Sequence, residues 1–380
     1  MRDHSLGNDL EQWMVLDRYH ATLLGCAVGD VLGIPVETFN KDQIIEFYGK
    51  INVPITARYL RVGDFSSGKI FPIEAVPKEK QRYVFSYGEY SDDTILTLSI
   101  AESIIGSGGI NIEDIASKHV NEYLSRKMLD GKVAGGFGKT TIDALNNMAR
   151  GVAPKYSGAQ GPGAGPAMKI SPVAIYAHAR NDISYLSLAE DISLMTHTDT
   201  RSVAGGIVQS HAIYWLLSLQ DHVTSDHELA DYFRMDSDYF RGRFMDYICD
   251  VCLKVEKKAS ARMASPEIRL FDKLYWIRNN LDASDEYALR SLGNGGASFE
   301  CHPFSLFMFQ KHWDDPIDGL IETVNLGGDS DTIGAIYGAL CGAKNGMIFP
   351  DKLYSPIGEN LSKIRSLAEG LFSFREYIGK

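Results

Sequence analysis

Two stretches far apart in the chain constrain it more than anything else in the sequence. They are Tyr90-Ser91-Asp92-Asp93-Thr94 and Gly327-Gly328-Asp329-Ser330-Asp331-Thr332. Each sets two carboxylates and neighbouring hydroxyls at the first turn of what reads as an apolar helix. Ile95-Leu96-Thr97-Leu98-Ser99-Ile100-Ala101 is too apolar all round for a surface helix. Ile333-Gly334-Ala335-Ile336-Tyr337-Gly338-Ala339-Leu340 is small and apolar enough for tight helix packing. Capping accounts for one such stretch, because Ser and Asp are favoured N-caps and first-turn acids complement the helix dipole. Two stretches, each with a doubled acid, ask for more. If they meet, four carboxylates share one site, and each like-charge pair about 4 Å apart costs roughly 4 kcal/mol at an effective dielectric of about 20. Protonation or a cation must relieve that. All-oxygen donors suit a hard ion such as Mg²⁺, Mn²⁺ or Ca²⁺ rather than zinc.

The rest of the chain reads as helical. Helices are expected from Asp17 to Gly29, over 92–106, 112–126, 139–149 and 167–179, from about Thr196 to Leu219, through much of 226–281, and over 303–310 and 354–378. Residues 1–16 read as a polar leader with a short amphipathic piece. Residues 50–90 differ, with Pro54, Pro72, Pro77, several glycines and alternating pieces such as Tyr83-Val84-Phe85-Ser86-Tyr87. They predict a loop with one or two short strands. Pro35 stops the first helix and presents Glu37 on a loop. Gly135-Gly136-Phe137-Gly138-Lys139-Thr140-Thr141 is a Gly-rich loop opening a helix, whose free N–H groups suit phosphate, without the spacing of a Walker A motif. Gly158 to Pro166 is a flexible tract that alone would pass for a domain linker.

Composition serves mainly to exclude. A net charge of −11 argues against a broad nucleic-acid-binding face. Five scattered cysteines favour reduced thiols and a cytoplasmic location. The N-terminus lacks the apolar core of a signal peptide. The apolar run Val203–Leu219 is broken by Gln209, Ser210 and His211, so no membrane association is expected.

With these segments in order, the chain resembles the ADP-ribosylglycohydrolase family, which includes ADP-ribosylarginine hydrolases and dinitrogenase-reductase-activating glycohydrolases. The resemblance rests on Gly29-Asp30-Val31-Leu32-Gly33 with Glu37, Ser91-Asp92-Asp93-Thr94, Thr196-His197-Thr198-Asp199 and Gly327 to Thr332. It implies a compact, multi-helix all-α fold in which 17–380 form one domain, with 50–90 as a small loop and strand insertion. It implies a binuclear Mg²⁺ site, with Mn²⁺ as the alternative ion, on Ser91, Asp92, Asp93, Asp329, Asp331 and Thr332. Glu37 matches the loop glutamate beside the scissile bond and is the candidate catalytic residue. Gly136, Phe137, Gly138, Gly163, Gly165 and Met168 match loops that hold the diphosphate and adenosine, with His197 near them. Ala164 and Lys169 depart from the Asn and Arg often found at those positions.

The expected activity is hydrolysis of the bond between ADP-ribose and an acceptor, on an ADP-ribosylated protein or small molecule. A cognate ADP-ribosyltransferase is the expected biological counterpart. Rival readings are another metal hydrolase, such as a phosphohydrolase, and a partner-binding protein giving immunity against an ADP-ribosylating toxin.

Overall fold

Two glycine-bearing helices lie face to face at the centre of the molecule: His4–Gly33 and Ser330–Asn345. The computed structural model describes residues 4–62, 68–77, 84–128, 131–219, 237–260 and 268–375. A Cβ at Gly25 would lie 2.1 Å from the Gly338 carbonyl oxygen, and one at Gly29 would lie 1.9 Å from that of Gly334. One at Gly33 would lie 2.2 Å from the Ser330 oxygen, and one at Gly342 would lie 2.0 Å from that of Ala21. The four-residue spacing of these glycines runs along one helical ridge, so the two backbones touch with no side chain between them. This antiparallel register brings the end of the first helix to the start of the second. The Ser330 hydroxyl locks that end by donating to the Gly33 carbonyl at 2.9 Å.

Around this pair the described residues are about 70% helical, the all-α architecture that the sequence predicts. Helices Asp92–Ser107, Ile112–Ser125 and Lys139–Ala149 lie close to their expected bounds. Nearly all of the first turns of Asp92–Ser107 are buried, as an apolar surface on every side demands. Helices Thr200–Ser218 and Ser298–Lys311 pack against Ser330–Asn345 from other sides. Asn360–Phe372 closes over the first helix.

Several boundaries differ from the sequence reading. The first helix starts at His4, not Asp17, so the stretch read as a leader is helical from that residue on. Glu11–Val36 has the length and hydropathy to cross a membrane, and 94% of its 18-residue apolar window is buried within the fold, as in a core helix. The helix expected over 167–179 is two, Gly165–Lys169 and Ser171–Ala179. Pro172, which has no N–H and crowds the preceding turn, breaks it near Ile170. The helix expected from Thr196 starts at Thr200, where Asp199 accepts from the Arg201 N–H. The one expected from Pro303 starts at Ser298 and carries Pro303 inside it.

In the 50–90 insertion the strands are Tyr59–Val62 and Lys69–Pro72, paired antiparallel with Tyr59 opposite Pro72. Residues 84–87 are not a strand. Ser86 and Glu89 instead close a turn, with the Ser86 N–H donating to the Glu89 carboxylate at 2.8 Å. Tyr83 and parts of the helical expectation over 226–281 lie outside the described residues. The flexible 158–166 tract is pinned at both ends. Ala159 bridges His197, and Gly163 bridges Ala297.

Candidate active site

The end of the first helix passes into a short 3-10 turn, Ile34–Val36, with Pro35 inside it and Glu37 directly after. Thr38 follows in the left-handed region at φ 73°, an uncommon conformation for a β-branched residue and a mark of a constrained site. What holds it is a bridge to the turn before Asp329. The Thr38 N–H donates to the Gly328 carbonyl at 2.7 Å, and the Gly328 N–H donates to that of Phe39 at 2.8 Å. Gly327 and Gly328 have φ of 74° and 89°, which few other residues would adopt there. Asn294, in the glycine turn before Ser298, accepts the Asp329 N–H at 2.8 Å and donates to the Gly327 carbonyl at 2.8 Å.

This clamp gathers the acids. Carboxylate oxygens of Glu37, Asp329 and Asp331 lie within 4.8 Å of one another. Asp92 and Asp93 line the same cleft, whose volume is about 1060 Å³. The sequence reading set Glu37 apart from the acidic stretches; the structure puts it among them.

The other acidic helix is seated by Asp30, whose motif in the sequence implies no role for its carboxylate. Asp30, fully buried in the first helix, accepts the N–H groups of Ser91 and Thr94 at 3.1 Å and the Thr94 hydroxyl at 2.6 Å. One carboxylate thus caps a neighbouring helix from outside it. The available signal was an acid sitting alone on a glycine-rich helical face. Ser91 caps the same helix from its own side. Its hydroxyl accepts from the Asp93 N–H at 3.2 Å and donates to Asp93 Oδ2 at 2.9 Å.

The electrostatics are those of a crowded anionic pocket. Burial first, then the charge of Asp331, pushes Asp92 and Asp93 well above the usual carboxylate range. The same causes in the same order lift Asp30 to about 7 and Asp329 to about 8. The Thr332 N–H donates to Asp331 Oδ1 at 2.9 Å. Asp93 Oδ1 is buried with no hydrogen-bond partner among the described residues. Buried carboxylate oxygens are rarely left so, and an all-oxygen donor set of this density fits a hard divalent cation.

The remaining cleft wall joins an uncapped helix N-terminus to apolar side chains. Gly138 precedes Lys139–Ala149 without a side-chain cap, leaving the first N–H groups of that helix facing the cleft beside Thr140 and Thr141. A Cβ at Gly136 would lie 3.3 Å from Asp92 Oδ1, so this loop and the acid pocket are in contact. Phe137, Gly163, Gly165, Met168 and His197 also line the cleft. His197 is neutral, drawn down to about 3 by burial and by the charge of Lys169. Tyr59, Leu60 and Arg61 from the hairpin, with Phe85, complete the wall. Every site residue proposed from sequence except Ser91 lines this one cleft, and Ser91 Cβ lies 3.1 Å from where a Cβ on the cleft-lining Gly136 would stand.

A model of the ADP-ribosylglycohydrolase family matches residues 12–377. The chain belongs to the ADP-ribosylglycohydrolase family. An uncharacterized protein of Archaeoglobus fulgidus is 27% identical over 88% of this chain and 90% of its own length. Human ADP-ribosylhydrolase ARH3 is 22% identical over 87% of this chain and 86% of its own. A solved structure, an ADP-ribosylglycohydrolase-related protein complex, superposes with a TM-score of 0.60 at 20% identity, covering 96% of this chain and all of that one. That likeness concerns the fold. As an ADP-ribosylglycohydrolase the chain is a glycosyl hydrolase acting on ADP-ribose linkages.

Proposed function

We propose that this ADP-ribosylglycohydrolase uses divalent cations, Mg²⁺ in the first instance, to cleave ADP-ribose from a protein side chain or a small acceptor. The observation that supports this most is the convergence of Glu37, Asp92, Asp93, Asp329 and Asp331 on one cleft, with Asp93 Oδ1 buried and unpartnered among the described residues. Asp92, Asp93, Asp329 and Asp331 would hold the metal, with Thr332 beside them. Glu37 is near enough to Asp329 and Asp331 to join them when no substrate is present.

Cleavage builds positive charge on the anomeric carbon of the ribose, and a field of carboxylates stabilises that charge. A bound divalent cation supplies Lewis acidity there, orienting ribose hydroxyls and lowering the pKa of water. Glu37, on its braced loop at the cleft wall, accepts the proton of the attacking water. The N-terminus of Lys139–Ala149 holds the diphosphate. Met168 and Phe137 offer apolar contact to the adenosine, with His197 beside them. A cleft of about 1060 Å³ exceeds the usual range for a small-molecule site, which leaves room for part of the acceptor against the hairpin.

Incubation with a panel of ADP-ribosylated peptides and small molecules, with Mg²⁺ and with chelator, tests this. Free ADP-ribose by mass spectrometry, dependent on the metal, is the expected product. Release of inorganic phosphate instead would mean a phosphohydrolase.

A further inference from the structure

Lys169 is fully buried, and no step above uses it. Its amine donates to the Thr196 hydroxyl oxygen at 2.9 Å. The same oxygen is 3.0 Å from His197 Nδ1 and 3.3 Å from the Ser193 carbonyl. A hydroxyl has one hydrogen, so only one of those two neighbours receives it. The Ser193 carbonyl already accepts backbone N–H groups from Thr196 at 3.1 Å and His197 at 2.9 Å. Its distance to the Thr196 hydroxyl is also long for an O–H donor. The hydrogen therefore goes to His197 Nδ1. An ammonium can only donate, so Lys169 takes one lone pair of the Thr196 oxygen and cannot receive its hydrogen. Burial draws the Lys169 amine down to about 7 and the nearby Asp92 opposes that shift, so the amine carries its charge on the acid side of neutrality.

The other edge of the ring faces the cleft. Cβ atoms built at Gly163 and Gly165 would lie 3.1 and 3.3 Å from His197 Nε2, and both glycines line the cleft. Nε2 has no partner among the described residues. We propose that Lys169, acting through the Thr196 hydroxyl, is a positioning residue that fixes His197 with its hydrogen on Nε2, as a neutral N–H donor aimed at an anionic oxygen of the substrate. That consequence for the substrate rests on the ADP-ribose reading above, whereas the tautomer does not.

The full chain labelled with ¹⁵N-histidine separates the two in a long-range ¹H–¹⁵N correlation spectrum recorded on the acid side of neutrality, with the His197 signals assigned through His197→Asn. Wild type is expected to carry the hydrogen on Nε2, with Nδ1 shifted as a hydrogen-bond acceptor. Lys169→Met should yield an observable Nδ1–H population, and Lys169→Arg should restore the wild-type pattern. Should Lys169→Met fail to fold, Thr196→Ala should lose the Nδ1 acceptor shift while Thr196→Ser keeps it. Calorimetric ADP-ribose affinity should fall about tenfold in Thr196→Ala and not in Thr196→Ser, the scale of one lost orienting hydrogen bond. A wild-type hydrogen on Nδ1, or a Lys169→Met or Thr196→Ala spectrum identical to wild type, overturns the proposal. The expected spectra without ADP-ribose binding would instead overturn the substrate reading alone.

Discussion

Carboxylate oxygens of Glu37 and Asp331 lie within 4.8 Å of each other, yet the proposed chemistry separates the two residues. Glu37→Gln removes the proton acceptor and one oxygen that approaches Asp329 and Asp331. Turnover should fall on the order of 10²–10⁴-fold, the usual range for a lost general base, and Mg²⁺ affinity without substrate should weaken with it. Asp331→Asn removes the charge that acts on Asp30, Asp92, Asp93 and Asp329 alike. It should abolish calorimetric metal binding and turnover together, while raising the melting temperature of the metal-free protein by relieving repulsion. A Glu37→Gln enzyme with near-full turnover would leave the mechanism without its base. An Asp331→Asn protein that binds Mg²⁺ as well as wild type would remove the aspartate from the site.

Elements set the precision of that site. The Gly29–Gly334 contact leaves no space for a methyl group, since a Cβ on Gly334 would lie 2.4 Å from the Gly29 carbonyl oxygen. Gly334→Ala should cost roughly 3 kcal/mol in denaturant unfolding, the cost of overpacking against a rigid backbone. Gly106, in the exposed last turn of Asp92–Ser107, has no atom within 4 Å of where a Cβ would stand and serves as the control. Gly106→Ala should stabilise by about 0.5–1 kcal/mol through helix propensity alone. Equal costs at the two positions would mean that close helix contact is not what Gly334 provides. The Tyr59–Val62 and Lys69–Pro72 hairpin belongs to this scale too. Arg61 lines the cleft and donates to Gln43 Oε1 at 2.7 Å, near the capping box that opens Lys41–Tyr48. Arg61→Ala should change KM between ADP-ribosylated acceptors by several-fold and leave the affinity for free ADP-ribose unchanged. An equal loss for every substrate and for ADP-ribose itself would place Arg61 on the ADP-ribose side instead.

Across the whole molecule the buried acids turn folding into a pH-dependent and metal-dependent equilibrium. Asp30 and Asp329 rise from 3.8 to about 7 and about 8 in the folded state. The folded chain therefore binds more protons than the unfolded one between those values. The associated stability is fully present below about pH 4 and is lost as pH rises through about 7 to 8. Chelator-treated protein should thus melt at a lower temperature at pH 8 than at pH 6. Saturating Mg²⁺ should raise the melting temperature most at the alkaline end, because the ion takes over the role of the protons. Thermal melts across pH with and without the metal check this. Metal-free protein that grows more stable from pH 6 to pH 8 would contradict it.

The sequence by itself determined the helical architecture, because apolar runs such as Ile95 to Ala101 and the cap at Ser91 are local signals. It also named the acids, the Gly-rich loops and His197, since doubled carboxylates at the head of an apolar helix are visible without coordinates. Tertiary structure alone decided that Glu37 joins the acid cluster, because that depends on the register of Gly29 and Gly33 against Gly334 and Ser330. It alone gave Asp30 its role, since a cap supplied from another helix leaves no spacing to read. The same holds for the hydrogen bonds joining Lys169, Thr196 and His197. Pairings between distant residues cost loop closure rather than local propensity, so nothing near either partner in the chain announces them.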